Sequence, residues 1–297
     1  MDKHPHVLLT GGRGRAATAI RQALSAEGWG LDVCSRTAGD GMLLLDEVLA
    51  GSGPLGVNAV IHCAWSTLPA VAQEHPGRAA QVDIPLLERL IHRLKADPRP
   101  PLLVFMSTGA VYGPAPGRPS RETDVPCPQG EYAKGKLVAE ALLQGSGLPH
   151  CILRVSNLYA LPSSPNDRQG VIARLVWTAL ENGSFQQWGG HSVKDYLHRD
   201  DFVAALKWVV EHGLTGVVNV ASGTATSLDE LVRLVKQETG RDFQVEVKEA
   251  PAWDVTDNRL DISLLRKRTG WAPTIALEEG VAREVARMLG ARTSARF

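Results

Sequence analysis

The chain reads as an α/β protein built on a doubly wound parallel sheet, and three observations predict it. Short apolar bursts alternate with segments of helical period, as in consecutive βαβ units. A glycine-containing turn follows the first burst and opens a helix. No internal repeat or low-complexity tract interrupts the alternation over 297 residues, of which 44% are hydrophobic, enough for a full-sized core.

Six runs read as buried strands: HVLLT (His6 to Thr10), LDVCS (Leu31 to Ser35), NAVIHCA (Asn58 to Ala64), PLLVFMST (Pro101 to Thr108), HCILRVS (His150 to Ser156) and GVVNVAS (Gly216 to Ser222). Helices fall between them. The clearest late helix is SLDELVRLVKQETG, where Ser227 and Glu230 form a capping-box pattern and Leu228, Leu231, Val232 and Val235 make one apolar face. Leu161 to Trp188 reads as loop-rich and Glu246 to Pro273 as irregular. The expected division is therefore a dinucleotide-binding Rossmann-type domain over residues 1–157, with return strands near 191–222. A smaller substrate lobe takes 158–190 and 223–297.

The 32 basic and 32 acidic residues cancel, which argues against nucleic acid or an anionic membrane surface as the main partner. Cys34, Cys63, Cys127 and Cys151 lack C-x-x-C spacing and are expected as buried thiols of a reducing compartment. His62 and His198 have no partner spacing that suggests a metal, and none is expected. MDKHPHVLLTGG carries no charged leader or apolar signal core, and no run reaches membrane-spanning length, so a cytoplasmic protein is expected.

Gly11, Gly14 and Ala17 let the backbone turn tightly and offer helix N-terminal N–H groups to a pyrophosphate. The plain alternative is an ordinary strand-to-helix turn, since G-x-x-G-x-x-A is not the G-x-G-x-x-G form. At the end of the second strand a dinucleotide site places an acidic residue on the ribose 2′-hydroxyl, or an arginine on a 2′-phosphate. Here it reads Ser35-Arg36, and Asp32 lies three residues too early. Arg13 and Arg15 add positive charge inside the turn, so NADP is preferred over NAD; the competing reading makes Arg36 a solvated surface charge. Further on, EYAKGKLVAE sets Tyr132 and Lys136 one helical turn apart, where an ammonium beside a phenol would favour the phenolate and tune it for proton transfer.

Together with TGGRGRAA, AVIHCA, MSTGAVYG, YAKGK and LRVSNLYA, and further on SVKDYLHRDDFVAAL, NVASGTATSLDEL and RTGWAPTIALEEG, the chain resembles the extended short-chain dehydrogenase/reductase family. The likeness is to its nucleotide-sugar epimerase, dehydratase and reductase branch. It implies that Tyr132 is the catalytic acid/base, that Lys136 binds the nicotinamide ribose and lowers the tyrosine, and that Thr108 hydrogen-bonds the reacting oxygen. It implies Gly11, Arg13, Gly14, Arg15 and Ala16 at the cofactor pyrophosphate, Ser35 and Arg36 at the adenosine ribose, and Cys63, Ala64 and Val155 along the cofactor. Asn157 would touch the substrate diphosphate. Lys194 stands where the family carries a phosphate-binding arginine, and the second such arginine falls on Pro251, leaving Arg259 or Arg168 as substitutes. Trp65 reads as a hexose-stacking platform or as packed core, with the core favoured. The third strand is abbreviated or missing, which leaves the adenine contact unassigned.

The branch's dehydratases read S-T-D-E-V-Y-G, whereas this chain has Gly109 and Ala110 in place of the acid and base that eliminate water. The resemblance then implies a nucleotide-sugar epimerase acting at C4, with an NADPH-dependent 4-keto-6-deoxy-sugar reductase as the alternative and a non-catalytic NADP-binding sensor as the third reading. It also implies a homodimer through the helix carrying Val82, Leu86, Leu87, Leu90, Ile91 and Leu94 and the helix carrying Tyr132.

Overall fold

Strict alternation of side chains across each strand sets the layers of this protein. In the computed structural model, which describes residues 4–37, 39–115, 117–162, 170–188, 192–251 and 254–294, the first half runs in order. It holds β1 (His6–Thr10), α1 (Arg15–Ala26), β2 (Gly30–Ser35), β3 (Leu43–Leu44), α2 (Leu45–Ala50), β4 (Ala59–His62) and α3 (Pro69–Glu74). A π-helical turn (Ala79–Asp83) leads into α4 (Ile84–Lys95), followed by β5 (Leu102–Thr108), a 3₁₀ turn (Gly109–Tyr112), α5 (Glu131–Gln144), β6 (His150–Val155) and β7 (Asn157–Tyr159). The second half holds α6 (Val171–Glu181), β8 (Ser184–Trp188), β9 (Val193–His198), α7 (Arg199–Glu211), β10 (Gly216–Val220) and β11 (Ala225–Ser227). It closes with α8 (Leu228–Thr239), β12 (Gln244–Lys248), β13 (Asp257–Asn258), α9 (Ser263–Thr269) and α10 (Leu277–Ser294).

Seven strands form one all-parallel sheet in the order β10-β6-β5-β4-β1-β2-β3. Val7, Leu9, Ile61, Val104 and Leu153 point to one face and pack under α1 and α7; Leu8, Val60, Leu103, Phe105 and Ile152 point to the other and pack under α4 and α5. The six predicted strands all lie in this sheet. The third strand survives as the two-residue β3 at its edge. The strand order reverses at β1, between β2 and β4, which opens a crevice at the carboxyl ends of the strands.

The loop-rich reading of 161–188 is corrected: α6 and β8 occupy most of its described residues, and β12 pairs with β8. Ile172, Leu175, Val176, Phe185, Leu231, Val235, Val281 and Met288 form a separate apolar cluster there. Of the segment 191–222, β10 joins the main sheet, while β9 pairs with β7, β11 and β13. The Ser227–Glu230 capping box forms at α8, with Glu230 N–H donating to Ser227 Oγ at 3.2 Å and Ser227 N–H to the Glu230 carboxylate at 2.8 Å. Asp201, buried in the first turn of α7, accepts from Thr274 N–H (2.9 Å), Thr274 Oγ1 (2.9 Å) and Ile275 N–H (3.0 Å), and so ties the approach to α10 onto the sheet layer. Among the cysteines, Cys34 and Cys151 are buried thiols as expected; Cys127 is instead exposed, because it lies in the extended run ahead of α5 rather than on a strand.

Candidate active site

The turn after β1 is shaped by close backbone approach. Gly11 has φ +73°, and a Cβ there would stand 2.7 Å from Ala64 N and 2.8 Å from the Cys63 carbonyl carbon, so the turn rests directly on the chain leaving β4. Gly12 N–H donates to Cys34 O at 3.0 Å. Gly14 is the N-cap of α1, whose first turn has neither a side-chain cap nor an acidic residue, which leaves the positive end of the helix facing the crevice. Ala16 is half-buried there, and Arg13 pairs with Asp40 at 2.8 Å on the surface. Arg15 leaves the turn the other way and donates from Nε to Pro162 O at 2.6 Å. Ser35 is buried with its hydroxyl on Thr37 O, Arg36 is exposed, and Asp32 is turned to His6 at 3.1 Å. Gly11→Ala is expected to cost at least about 1–2 kcal/mol from the left-handed backbone alone, read as a lowered denaturation midpoint together with weaker cofactor binding.

Thr108 closes β5 and Tyr132 lies in the first turn of α5. The two side chains lie close enough for the Thr108 hydroxyl to favour the phenolate, and Thr108 Oγ1 accepts from Ala110 N–H at 3.2 Å. Burial pushes the Tyr132 phenol up to about 12, with the nearby Thr108 hydroxyl pulling the other way. The expected lowering by Lys136 is not what the structure holds. Lys136 Nζ donates to Met106 O at 2.7 Å and lies 4.0 Å from the Trp65 ring centre and 4.6 Å from that of Phe105. Its ammonium is thus taken up on the sheet side of α5. Trp65 is fixed by its indole N–H on Thr67 O (2.9 Å) and sits edge-on to Phe105, in the core beneath Lys136.

Burial lowers Lys136 from an ordinary 10.5 to about 7, against the raising influence of Cys63, Asp83 and Glu140. The unfolded chain therefore binds one more proton than the folded chain between those values, and stability should rise with pH across that window and be lost as pH falls through about 7. Denaturant midpoints taken on either side of the window check this, and Lys136→Met should flatten the slope. His62, bonded to Thr10 Oγ1 at 2.8 Å, is lowered to about 3 by burial and by Lys136, and His198 Nδ1 accepts from Asp200 N–H to cap α7.

Thr108, Ala110, Tyr132, Asn157, Lys194 and Asp254 line a cavity of about 230 Å³. A second, of about 610 Å³, shares Pro69, Gln73, Asn157, Lys194 and Asp254 with it and extends to Arg15, Arg174, Phe185 and Trp188. A larger hollow of about 750 Å³ between α8 and the 273–278 segment contains none of the Thr108, Tyr132 and Lys136 set. Asn157 donates from Nδ2 to Asp195 O at 3.0 Å, and Lys194 pairs with Asp254 at 2.8 Å. Arg259 is held by both oxygens of Asp257 at 2.7 and 2.6 Å and lies outside both linings; Arg168 lies outside the described residues. Val155 ends β6, and Cys63 and Ala64 follow β4 against the glycine turn. Sequence reasoning missed Asp254, Arg174 and Trp188; the alternation in SFQQW, which exposes Trp188 and buries Phe185, was the available signal.

Behind the cavity, Glu140 lies on α5 two turns beyond Tyr132 and accepts from Ser107 Oγ and from Arg154 Nη2 (2.7 Å) and Nε (3.2 Å). Arg154 lies 4.6 Å from the Tyr112 ring centre, and Tyr112 donates to Asn219 Oδ1 at 2.8 Å. This buried network fixes α5 against the ends of β5 and β6.

Residues 7–221 match the family model described as the NAD dependent epimerase/dehydratase family. The dTDP-6-deoxy-L-talose 4-dehydrogenase (NAD(P)(+)) of Kitasatospora kifunensis is 31% identical over 215 residues, 68% of this chain and 67% of that protein. The GDP-6-deoxy-D-mannose reductase of Pseudomonas aeruginosa is 26% identical over 256 residues, 80% of this chain and 83% of that protein. The structure of a UDP-glucose 4-epimerase from Thermotoga maritima with UDP-glucose superposes with a TM-score of 0.86 at 25% identity, covering 97% of this chain and 99% of that one. With the family match running from β1 through the last strand of the main sheet, the chain belongs to the NAD dependent epimerase/dehydratase family.

Proposed function

We propose that this protein transfers hydride at a ring carbinol or carbonyl, C4, of a nucleotide sugar, using NAD(P). The observation that carries the reading is the Thr108–Tyr132 pair on the wall of the smaller cavity, with no carboxylate at Gly109 or Ala110 to drive elimination. The glycine turn fits a dinucleotide: an uncapped helix N-terminus, closely approached backbone and the cationic Arg13 suit a pyrophosphate, while the Arg15 side chain is turned to Pro162 O. Gly11, Gly14 and Ala16 would hold it, Ser35 and Arg36 would meet the adenosine ribose, and Cys63, Ala64 and Val155 would border the remainder. When bound, the nicotinamide supplies hydride to the sugar carbon or takes it away. Thr108 orients the reacting oxygen. Tyr132 gives that oxygen its phenolic proton as the carbonyl is reduced and regains one from water, or takes the proton back when the carbinol is oxidised. Lys136, with one Nζ donor already on Met106 O, would bind the nicotinamide ribose through those that remain.

Net reduction and C4 epimerisation use these groups identically. Epimerisation, the first reading from the sequence, is supported by the likeness to the Thermotoga enzyme over the whole chain. Reduction by NADPH is the second reading, and two observations favour it: Arg36 stands at the end of β2 without an acidic residue, and a Tyr132 raised to about 12 keeps the proton that reduction must donate. The dehydrogenase and reductase relatives point the same way. Incubation with UDP-, GDP- and dTDP-sugars, with catalytic cofactor and with stoichiometric NADPH, separates them. An epimerase interconverts C4 isomers without net NADPH loss, whereas a reductase consumes NADPH one-for-one with a 4-keto-6-deoxy sugar. Turnover in neither assay would overturn the assignment. Arg36→Asp is expected to weaken NADPH about 10- to 150-fold relative to NADH, the range of a charge-assisted contact, in a fluorescence titration; equal affinities before and after would remove the NADP preference.

Two further expectations belong here. The apolar clusters support a cofactor lobe over 1–157 with a return near 191–222, and a substrate lobe from 158–190 and 223–297 out of which Leu265 and Trp271 pack back against the main sheet, in a chain whose buried thiols suit the cytoplasm. A homodimer through α4 and α5 is supported by the exposed Val138 and the half-buried Val82 and Leu86, although Leu87, Leu90, Ile91 and Leu94 are spent on the chain's own core. Light scattering should give twice the 32.0 kDa chain mass.

A further inference from the structure

We infer that Lys194 and Asp254 act as one unit that binds the neighbouring hydroxyls at C2 and C3 of the substrate's sugar ring, and not its diphosphate. The inference rests on the nucleotide-sugar reading above and assigns its ring specificity. Lys194 stands where the family resemblance expects an arginine on a substrate phosphate, yet its Nζ lies 2.8 Å from Asp254 Oδ1. Backbone contacts hold the two side by side. Val193 N–H, one residue before Lys194, donates to Thr256 O at 2.7 Å, Asp254 N–H donates to Pro251 O at 2.9 Å, and Asn258 stands in register with Lys194 where β13 pairs with β9.

Donor and acceptor chemistry decides what such a pair can take. Among the described residues no other group bonds either side chain, so further Nζ donors and the second carboxylate oxygen are left for a ligand. A hydroxyl both donates and accepts, and two neighbouring hydroxyls therefore match an ammonium beside a carboxylate. Phosphate oxygens only accept, the pair offers them no net charge, and the carboxylate repels them. Position then selects the hydroxyls. Thr108 and Tyr132 line the smaller cavity and not the 610 Å³ one, whereas Lys194 and Asp254 line both and so stand where the two join. With C4 at Tyr132 and the diphosphate on C1 in the larger cavity, the ring atoms between them that carry neighbouring hydroxyls are C3 and C2.

Calorimetric titration of the full chain tests this with UDP, dTDP and GDP, each as the free nucleotide, as its hexose (glucose on UDP and dTDP, mannose on GDP) and as its 2-deoxyhexose. For the tightest-bound nucleotide, the wild type should favour the hexose over the 2-deoxyhexose about 10- to 150-fold, as for a hydrogen bond to a charged group. The double variant Lys194→Met with Asp254→Leu removes the pair without changing net charge or stranding a buried charge. It should bind the two sugars within about twofold of each other while holding the free nucleotide as the wild type does. A wild type that binds hexose and 2-deoxyhexose alike overturns the inference, whether or not the variant folds, and leaves the nucleotide-sugar reading intact. So does a double variant whose loss on the free nucleotide equals its loss on the hexose, which would put the pair on the diphosphate. A wild type that binds none of these nucleotides or nucleotide sugars overturns both.

Discussion

Tyr132→Phe is expected to lower turnover by about 10²- to 10⁴-fold while changing substrate affinity little, the signature of a lost acid/base group. The phenol oxygen is the one Tyr132 atom that can carry a proton to or from the proposed substrate, and it shares the cavity wall with Thr108. Removing it leaves the ring, and with it the packing of the first turn of α5. The unfolding midpoint should therefore stay close to wild type, which separates a chemical loss from a structural one. Stopped-flow measurement of hydride transfer alongside steady-state kcat and KM would show it. A variant with near-normal turnover would dismiss Tyr132 as the acid/base.

Glu140→Ala should be the most damaging substitution for stability, costing about 3–5 kcal/mol, because it strands Arg154 as an uncompensated buried charge. The two side chains are 1% and 5% exposed, and Ser107 Oγ would lose its acceptor as well. The double variant Glu140→Leu with Arg154→Met should recover much of the loss, since a buried ion pair replaced on both sides by apolar groups of similar size is often neutral. Urea midpoints of the wild type, the single and the double variant decide it. The activity of the double variant carries separate information: Glu140 follows Tyr132 and Lys136 along α5, so a stable but slow enzyme would mean that the network also aims the tyrosine.

The sheet was legible because a parallel strand buried on both faces is written as an uninterrupted apolar run, and HVLLT, NAVIHCA and PLLVFMST are such runs. The two residues of β3 carry too little text to show a pattern. α6 and β8 were hidden for a different reason: VIARLVWTALE is amphipathic, but it follows the turn-rich LPSSPNDRQG, and local turn chemistry outweighed it. In the site, Tyr132 and Thr108 could be placed from sequence since each sits at the start or end of an element. The direction of Lys136 could not be. It depends on Trp65 and Met106, which come from two other segments, and no spacing encodes where a four-carbon stem will bend. Arg259 failed to reach the cavities for a similar reason, held two residues away by Asp257.

The three hydrogen bonds accepted by Asp201 bear on how the molecule would come apart. The match to the family model ends at residue 221, but Asp201 reaches past that limit to Thr274 and Ile275, and Val281, Val285 and Met288 beyond them complete a core begun by α6 and α8. The stretch beyond the family-model match is thus mechanically part of the whole. Cutting the chain before Thr274 would leave a carboxylate walled in with empty lone pairs and an apolar hollow open to water, so the tail and the sheet should melt as one body rather than peel in sequence.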